Sequence, residues 1–500
     1  MLGESAAATS LAGGTGGAER LAELIPLALR GMAAGVAERG GPVPAGGPAA
    51  VAAGLAAAGS DAARTLPARG IGAERALTEL SRLLAAGSAD PADPACAAHL
   101  HCPPLAVSVA ADVVASALNP SMDSWDQAPV ASELEREFTE GIARLCYPGD
   151  YPGEAAPDAV VTSGSTESNL LGLLLARELS PGLAVRPVCG ANAHHSVARA
   201  AWLLGLPAPV IVACEDDRML PAALAEALAP LGASAIVVAT AGTPNTGRLD
   251  PLPEIAALCR RFGARLHVDA AYGGMALFSP RRRPALAGLD LADSIALDMH
   301  KFGWQPVAAG LLACRAEADL AALTVRAEYL NADDDTEAGL PDLLGRSLRT
   351  SRRPDAFRMA VTVRALGTDG LGELVERCCD TATGVEALVA AHPGLRSWGK
   401  PSLSTVLFRP VLADALAEPM ADALVAGVRR ALLEAGTAVI GRASMPTGPD
   451  GAPQLWLKLT LLHPHTAAAD YRELLDRVVV TAANEPRAVC AEAEGSPVAS

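Results

Sequence analysis

The sequence predicts an α/β fold: a large, mostly parallel sheet covered by helices, preceded by a helical segment and followed by a small α+β unit. Three observations carry that expectation. Between about residues 157 and 315, short apolar runs alternate with helical stretches, the rhythm of successive βα units. The chain has 500 residues, more than one hydrophobic core usually spans, and 50% of them are apolar. Only 3% are aromatic while Ala is abundant, so the core must be built from Ala, Val and Leu, and helices should be plentiful.

Taken in order, residues 1–65 are Ala/Gly-rich, with a helical patch from Glu19 to Glu38, and their composition predicts partial disorder. Residues 66–143 read as a helical segment interrupted by loops at DPADPAC and LNPSMDSWDQAP. The large domain is assigned to 144–380, with seven candidate strands in AVVTSG, LAVRPVCG, APVIVAC, SAIVVAT, ARLHVD, DSIALD and GLLACR. An acidic loop around Asp333 to Glu337 follows these strands, and helices then run from Pro354 to Ala391, across the boundary with the next domain. Residues 381–485 form the expected small domain, with strands at STVLFRP and QLWLKLTLL and helices around Met420 to Ala435 and Thr466 to Ala483. Residues 486–500 read as a tail.

A net charge of −16 opposes binding to nucleic acid and to anionic membranes, which leaves a small-molecule substrate as the expectation. No uncharged apolar run is long enough to span a bilayer, and no basic residue precedes Arg20, so neither a membrane span nor a signal peptide is expected and the location should be cytoplasmic. The ten cysteines lack CxxC spacing and read as small apolar side chains. His99 and His101 in HLH have no third ligand nearby, so no metal is expected. Of 40 basic residues only Lys301, Lys400 and Lys458 are lysine. Arginine stays protonated and cannot serve as an amine nucleophile, so a retained lysine invites a chemical reason.

Three motifs supply one. AVVTS runs into GSTESN and an apolar helix, which places Ser165 and Thr166 at a helix N-terminus where free N–H groups and the helix dipole favour phosphate, although for this motif alone ordinary capping is the better explanation. ARLHV ends in Asp269, at a sheet edge where an acid can hold a pyridinium nitrogen protonated; turn initiation is the plainer alternative. DSIALD leads through Met299 and His300 to Lys301. Together, phosphate site, acid and amine fit pyridoxal 5′-phosphate, whose ring draws electrons and whose aldehyde bonds an amine.

At this point the chain is identified as a member of the group II pyridoxal-dependent decarboxylases over about Asp93 to Asp476. The resemblance rests on TSGSTESNLLGLLLAR, AHHSVARAAWLLGL, ATAGTPNTGRLDPLPEIAALC, LHVDAAYGG, ADSIALDMHKFGWQP and SLRTSRRPDA. It implies the aspartate-aminotransferase-like fold type I of pyridoxal enzymes, with a seven-stranded large domain, and a homodimer. It implies Lys301 as the cofactor-bearing lysine, Asp269 as partner of the ring nitrogen, Ser165, Thr166 and His300 as the phosphate shell, and His194 as the histidine stacked on the ring. Thr240 matches the segment beside the cofactor, and Tyr329 in RAEYL matches a loop tyrosine that returns a proton to Cα. His195 reads as structural. Pro244, Ser165, Met299 and Asp93 depart from the usual pattern without removing an essential group.

AAHLHCPP and NPSMDSWDQ most resemble the L-2,4-diaminobutyrate and lysine decarboxylases, so a basic amino acid is the expected substrate. His99, Trp125 and Asp126, with Asp123 as a second acid, are the substrate candidates; a solvated acidic loop is the bland alternative. Aromatic-amino-acid decarboxylation is the runner-up, disfavoured by the small Ala95 and Cys96. Oxidative conversion or transamination on the same cofactor, and a catalytically silent binding subunit, are the remaining alternatives.

Overall fold

The computed structural model describes residues 8–57, 66–149, 156–324, 334, 337–341, 343–446 and 451–485. Its contacts divide the chain into two compact units. One holds the described residues up to His99, Thr381–Lys400 and those from Val406 onward; the other holds Leu100–Asp380 with Pro401–Thr405.

The first unit opens with helices α1 (Gly17–Arg39), α2 (Gly47–Ala57) and α3 (Ala73–Gly87). Helix α1 lies over the expected helical patch from Glu19 to Glu38, and its glycines build a close seam with α3. A Cβ added to Gly31 would meet the Thr78 carbonyl oxygen at 2.4 Å, and one added to Gly35 would meet that of Arg82 at 2.2 Å. Small residues four apart thus let two backbones touch. The Arg39 guanidinium closes the seam, donating to the Ala85 carbonyl at 2.7 Å and to Asp90 at 2.6 Å.

The larger unit adds α4 (Ala106–Leu118) and α5 (Pro129–Cys146), then a seven-stranded sheet. Its strands are β1 (Asp158–Thr162), β2 (Arg186–Gly190), β3 (Val210–Val212), β4 (Ala235–Thr240), β5 (Arg265–Asp269), β6 (Ser294–Asp298) and β7 (Gly310–Cys314). Six lie within the apolar runs predicted from sequence, and β1 begins one residue before its run. Their order is β1-β7-β6-β5-β4-β2-β3, and β7 alone runs antiparallel to its neighbours. Helices α6 (Ser165–Glu178), α7 (Ser196–Leu203), α8 (Pro221–Leu228) and α9 (Leu252–Phe262) connect strands and cover the faces. Strands buried on both faces read as continuous apolar runs, as AIVVAT does with all six residues buried. Residues 100–143 fall in this larger unit, so the expected break near 143 is not where contacts divide. The buried Ile142, Ala143 and Cys146 of α5 explain this, since that helix packs on β1 and β7.

Helix α10 (Asp355–Ala391) is broken at Gly367, whose φ of 69° is non-helical. A four-stranded sheet contains β8 (Leu395–Ser397), β9 (Thr405–Pro410), β10 (Gly441–Pro446) and β11 (Pro453–Thr460) in the order β8-β9-β11-β10. With α11 (Glu418–Glu434) and α12 (Arg472–Asn484) it encloses a core that includes Phe408, Leu424, Val428, Leu457, Tyr471 and Val478.

Candidate active site

Topology gathers the site before any side chain is considered. The parallel strands β1, β4, β5 and β6 end at one edge of the sheet, and antiparallel β7 begins there. Register places Thr240 beside Asp269, and Gly310 beside both Asp298 and Thr162. Ligands of open α/β sheets bind outside this carboxyl edge.

Asp298, 3% exposed, organises one half of the site. Its Oδ1 accepts the Ser165 backbone N–H at 2.7 Å and the Ser165 hydroxyl at 2.9 Å, so it caps α6 from the neighbouring strand. Its Oδ2 lies 2.9 Å from Lys301 Nζ and 3.5 Å from His300 Nε2. Gly164 makes the approach possible: its φ is +149°, and a Cβ there would sit 2.9 Å from the His300 ring. Burial lowers the His300 pKa; Asp298 opposes the shift and Lys301 adds to it. Lys301 stands on a loop whose base is closed by the Asp298–Gly310 pair, with Phe302 and Trp304 buried beneath it.

Asp269 organises the other half. Its Oδ1 accepts the Ala271 N–H at 3.1 Å, and its Oδ2 accepts Asn169 Nδ2 at 2.8 Å. The same Asn169 nitrogen reaches Ser196 Oγ at 2.8 Å, and Ser196 Oγ lies 2.8 Å from His194 Nδ1. Behind Asp269, His267 joins Asn169 Oδ1 at 2.9 Å and Ser294 Oγ at 2.8 Å. Burial lowers the His194 pKa; Asp269 opposes the shift, whereas His195 and Lys301 reinforce it. These mutual influences bring Asp269, His194, Asp298 and Lys301 into one electrostatic neighbourhood.

The remaining candidates are placed unevenly. Ser165 is buried, but its donors are engaged by Asp298, and Thr166 is exposed. Thr240 is 2% exposed, and its hydroxyl has no hydrogen-bond partner among the described residues. Trp125 is half-buried and Asp126 exposed on a short 3₁₀ turn, Trp125–Gln127. Asp126 accepts Ser124 Oγ at 2.5 Å, whereas buried Asp123 is committed to Gln127 and Ser351. His99 is exposed and belongs to the other unit. Tyr329 lies outside the described residues. Sequence reading gave no role to Asp298, Asn169, Ser196 or His267, although each stands within a motif already singled out.

Residues 63–411 match the pyridoxal-dependent decarboxylase conserved domain. An L-2,4-diaminobutyrate decarboxylase of Rhizobium meliloti (strain 1021) is 39% identical over 427 residues, covering 83% of both chains. One of Acinetobacter baumannii is 33% identical over 443 residues, covering 83% of this chain and 84% of that one. A crystal structure of the glutamate decarboxylase domain of diaminobutyrate-pyruvate transaminase and L-2,4-diaminobutyrate decarboxylase from Vibrio parahaemolyticus matches with a TM-score of 0.82 and 27% identity, over 97% of this chain and all of that one. Oryza sativa TDC with PLP and tryptamine also reaches a TM-score of 0.82, over 93% of this chain and 98% of that one; at 22% identity the likeness is one of fold. The matched domain, the relatives and the sheet edge agree, and the chain belongs to the pyridoxal-dependent decarboxylase family.

Proposed function

We propose that this enzyme decarboxylates an L-diamino acid, with L-2,4-diaminobutyrate as the favoured substrate, to carbon dioxide and a diamine. The observation that carries the chemistry is Lys301 Nζ held 2.9 Å from Asp298 at the edge where Asp269 ends its strand. The substrate reading is supported by the two L-2,4-diaminobutyrate decarboxylases that match over most of this chain.

The residues fit pyridoxal 5′-phosphate. Thr240 offers a buried hydroxyl without a partner among the described residues, and Lys301 is 17% exposed, open enough to react. When bound, the cofactor supplies an aldehyde that takes up an amine and a ring that draws electrons from Cα. Lys301 would hold the aldehyde and Asp269 the ring-nitrogen proton. His194 would cover the ring and Thr240 donate beside it. Ser165, Thr166 and His300 are the phosphate candidates, with Asp298 competing for Ser165. Tyr329 is proposed to return the proton to Cα. For the distal ammonium we favour exposed Asp126 over committed Asp123, with Trp125 against the stem.

We read the protein as a cytoplasmic homodimer that binds neither nucleic acid nor membrane. Exposed apolar side chains on α1 and α3, among them Leu29, Met32, Leu80 and Leu84, support an association surface. The described cysteines are all free, as in a reducing compartment. No described helix is long and apolar enough to cross a membrane, and the net charge is −16.

The test is incubation of cofactor-loaded protein with separate L-amino acids, namely diaminobutyrate, ornithine, lysine, glutamate, DOPA and tryptophan, with carbon dioxide and amine both measured. Turnover of diaminobutyrate above the others is expected. Turnover of aromatic acids alone would overturn the basic-substrate reading, and aldehyde in place of amine would overturn simple decarboxylation.

A further inference from the structure

We propose that Asn169 and His267 are positioning residues that lock two functional groups through one hydrogen-bonded relay, fixing Asp269 under the ring nitrogen and His194 in a single tautomer. The proposal rests on the assignment of Asp269 and His194 to the cofactor ring.

The relay runs from Ser294 on β6, through His267 on β5, to Asn169 on α6, where it forks to Asp269 and, through Ser196, to His194. Its directions follow from valence. Asp269 accepts only, so the Asn169 group at 2.8 Å from it is the amide nitrogen. That nitrogen spends its second hydrogen on Ser196 Oγ at 2.8 Å. The amide oxygen is therefore turned to His267 Nε2, 2.9 Å away, and must accept a hydrogen bond from its N–H. With Nε2 protonated and the ring neutral, Nδ1 is an acceptor, and the Ser294 hydroxyl 2.8 Å away donates to it. With a neutral ring, this arrangement gives each of these donors an acceptor.

The fork sets His194 by the same logic. Ser196 Oγ already accepts from Asn169, which frees its own hydrogen for His194 Nδ1 at 2.8 Å; the Ser196 backbone N–H points to the same nitrogen at 3.3 Å. His194 thus carries its proton on Nε2. The charged and titratable groups facing His194 are Asp269, His195, Lys301 and Asp298, and those acting on His267 reduce to Asp269. Burial pushes the His267 pKa down to about 4, which keeps the ring neutral as the relay requires. Space for the ring comes from Gly172 of α6, where a Cβ would lie 2.5 Å from His267 Nδ1. The alternative role, a satisfied histidine that merely fills the core, predicts a loss of stability and nothing else.

The experiment compares full-length holoenzymes of wild type, N169L, H267N, H267Q, S196A and D269N by cofactor affinity, by the pH midpoint of the visible band of the lysine-bound cofactor, and by kcat and KM separately. For N169L, affinity should weaken by about 10- to 100-fold, the loss of a hydrogen bond to a charged group, and for H267N, which loses a bond between neutral groups, by up to about 10-fold. Their band midpoint should move in the direction seen for D269N, and kcat should fall more than KM rises. H267Q keeps a donor near the Nε2 position and should restore the wild-type midpoint. S196A, which leaves the Asp269 branch intact, should alter the pH profile of kcat/KM while sparing the band midpoint, and it tests the fork even where N169L or H267N does not fold. A wild-type midpoint and affinity in folded N169L and H267N, with lowered melting temperatures, would overturn the relay. If D269N also retains the wild-type midpoint, the assignment of Asp269 to the ring nitrogen fails instead.

Discussion

His267 is 1% exposed, and an imidazole so buried resists protonation. Its folded pKa, about 4, lies below the ordinary value of 6.5, so acid favours the unfolded chain. The stability owed to the neutral ring is complete above the unfolded value and drains away as pH falls through the folded one. The window corresponds to about 3 kcal/mol. Denaturant titrations at pH 7 and pH 4.5 should therefore show wild type losing about 2–3 kcal/mol more than H267Q; equal losses would remove His267 as the source. At Lys301, substitution by Ala should abolish both turnover and the visible band of bound cofactor, and a band retained on another lysine would refute the site. Asp298→Ala should lower stability by about 1–3 kcal/mol, because the Ser165 N–H and hydroxyl lose their buried acceptor, a loss measurable by thermal melting. Lys301 and Asp269 were conspicuous in sequence as a scarce lysine and a strand-end acid, and the fold brings Asp269 to the end of β5 and Lys301 to the loop after β6. Asn169 and His267 were not, since their roles arise from contacts across 98 residues of chain that no local pattern encodes.

Among elements, the α1–α3 seam sets packing against propensity. In an open helix, Gly→Ala stabilises by about 1 kcal/mol. At Gly35 the new methyl would meet the Arg82 carbonyl at 2.2 Å, and such overpacking costs about 1–3 kcal/mol, so G35A should lower the melting temperature. Gly54 of α2 has nothing within 4 Å, and G54A should raise it. Should both variants move the same way, the seam is not the determinant. The seam was illegible because composition alone does not distinguish a glycine that disorders a chain from one that lets a neighbour approach. The large sheet was legible because strands buried on both faces are unbroken apolar runs. Strand β10 escaped notice, since GRASMP alternates buried and exposed positions using Gly, Ala, Ser and Pro, weak strand formers all.

At the scale of the molecule, a dimer predicts twice the chain mass in light scattering of the loaded protein, and a monomeric mass would defeat that reading. The alternation of strands and helices was visible in the rhythm of the sequence, but the division near residue 100 was not, because unit membership depends on which helices pack together and not on where composition shifts. One local closure has wider reach. The Asp298–Gly310 pair ties residues 299–309 into the ladder at both ends and seats Phe302 and Trp304 in the interior. Met299 donates its N–H to the Ala309 carbonyl and Gln305 to that of Met299, so amide exchange at these two positions should proceed mainly when β6 and β7 open together, and the placement of Lys301 inherits the cooperative stability of the sheet.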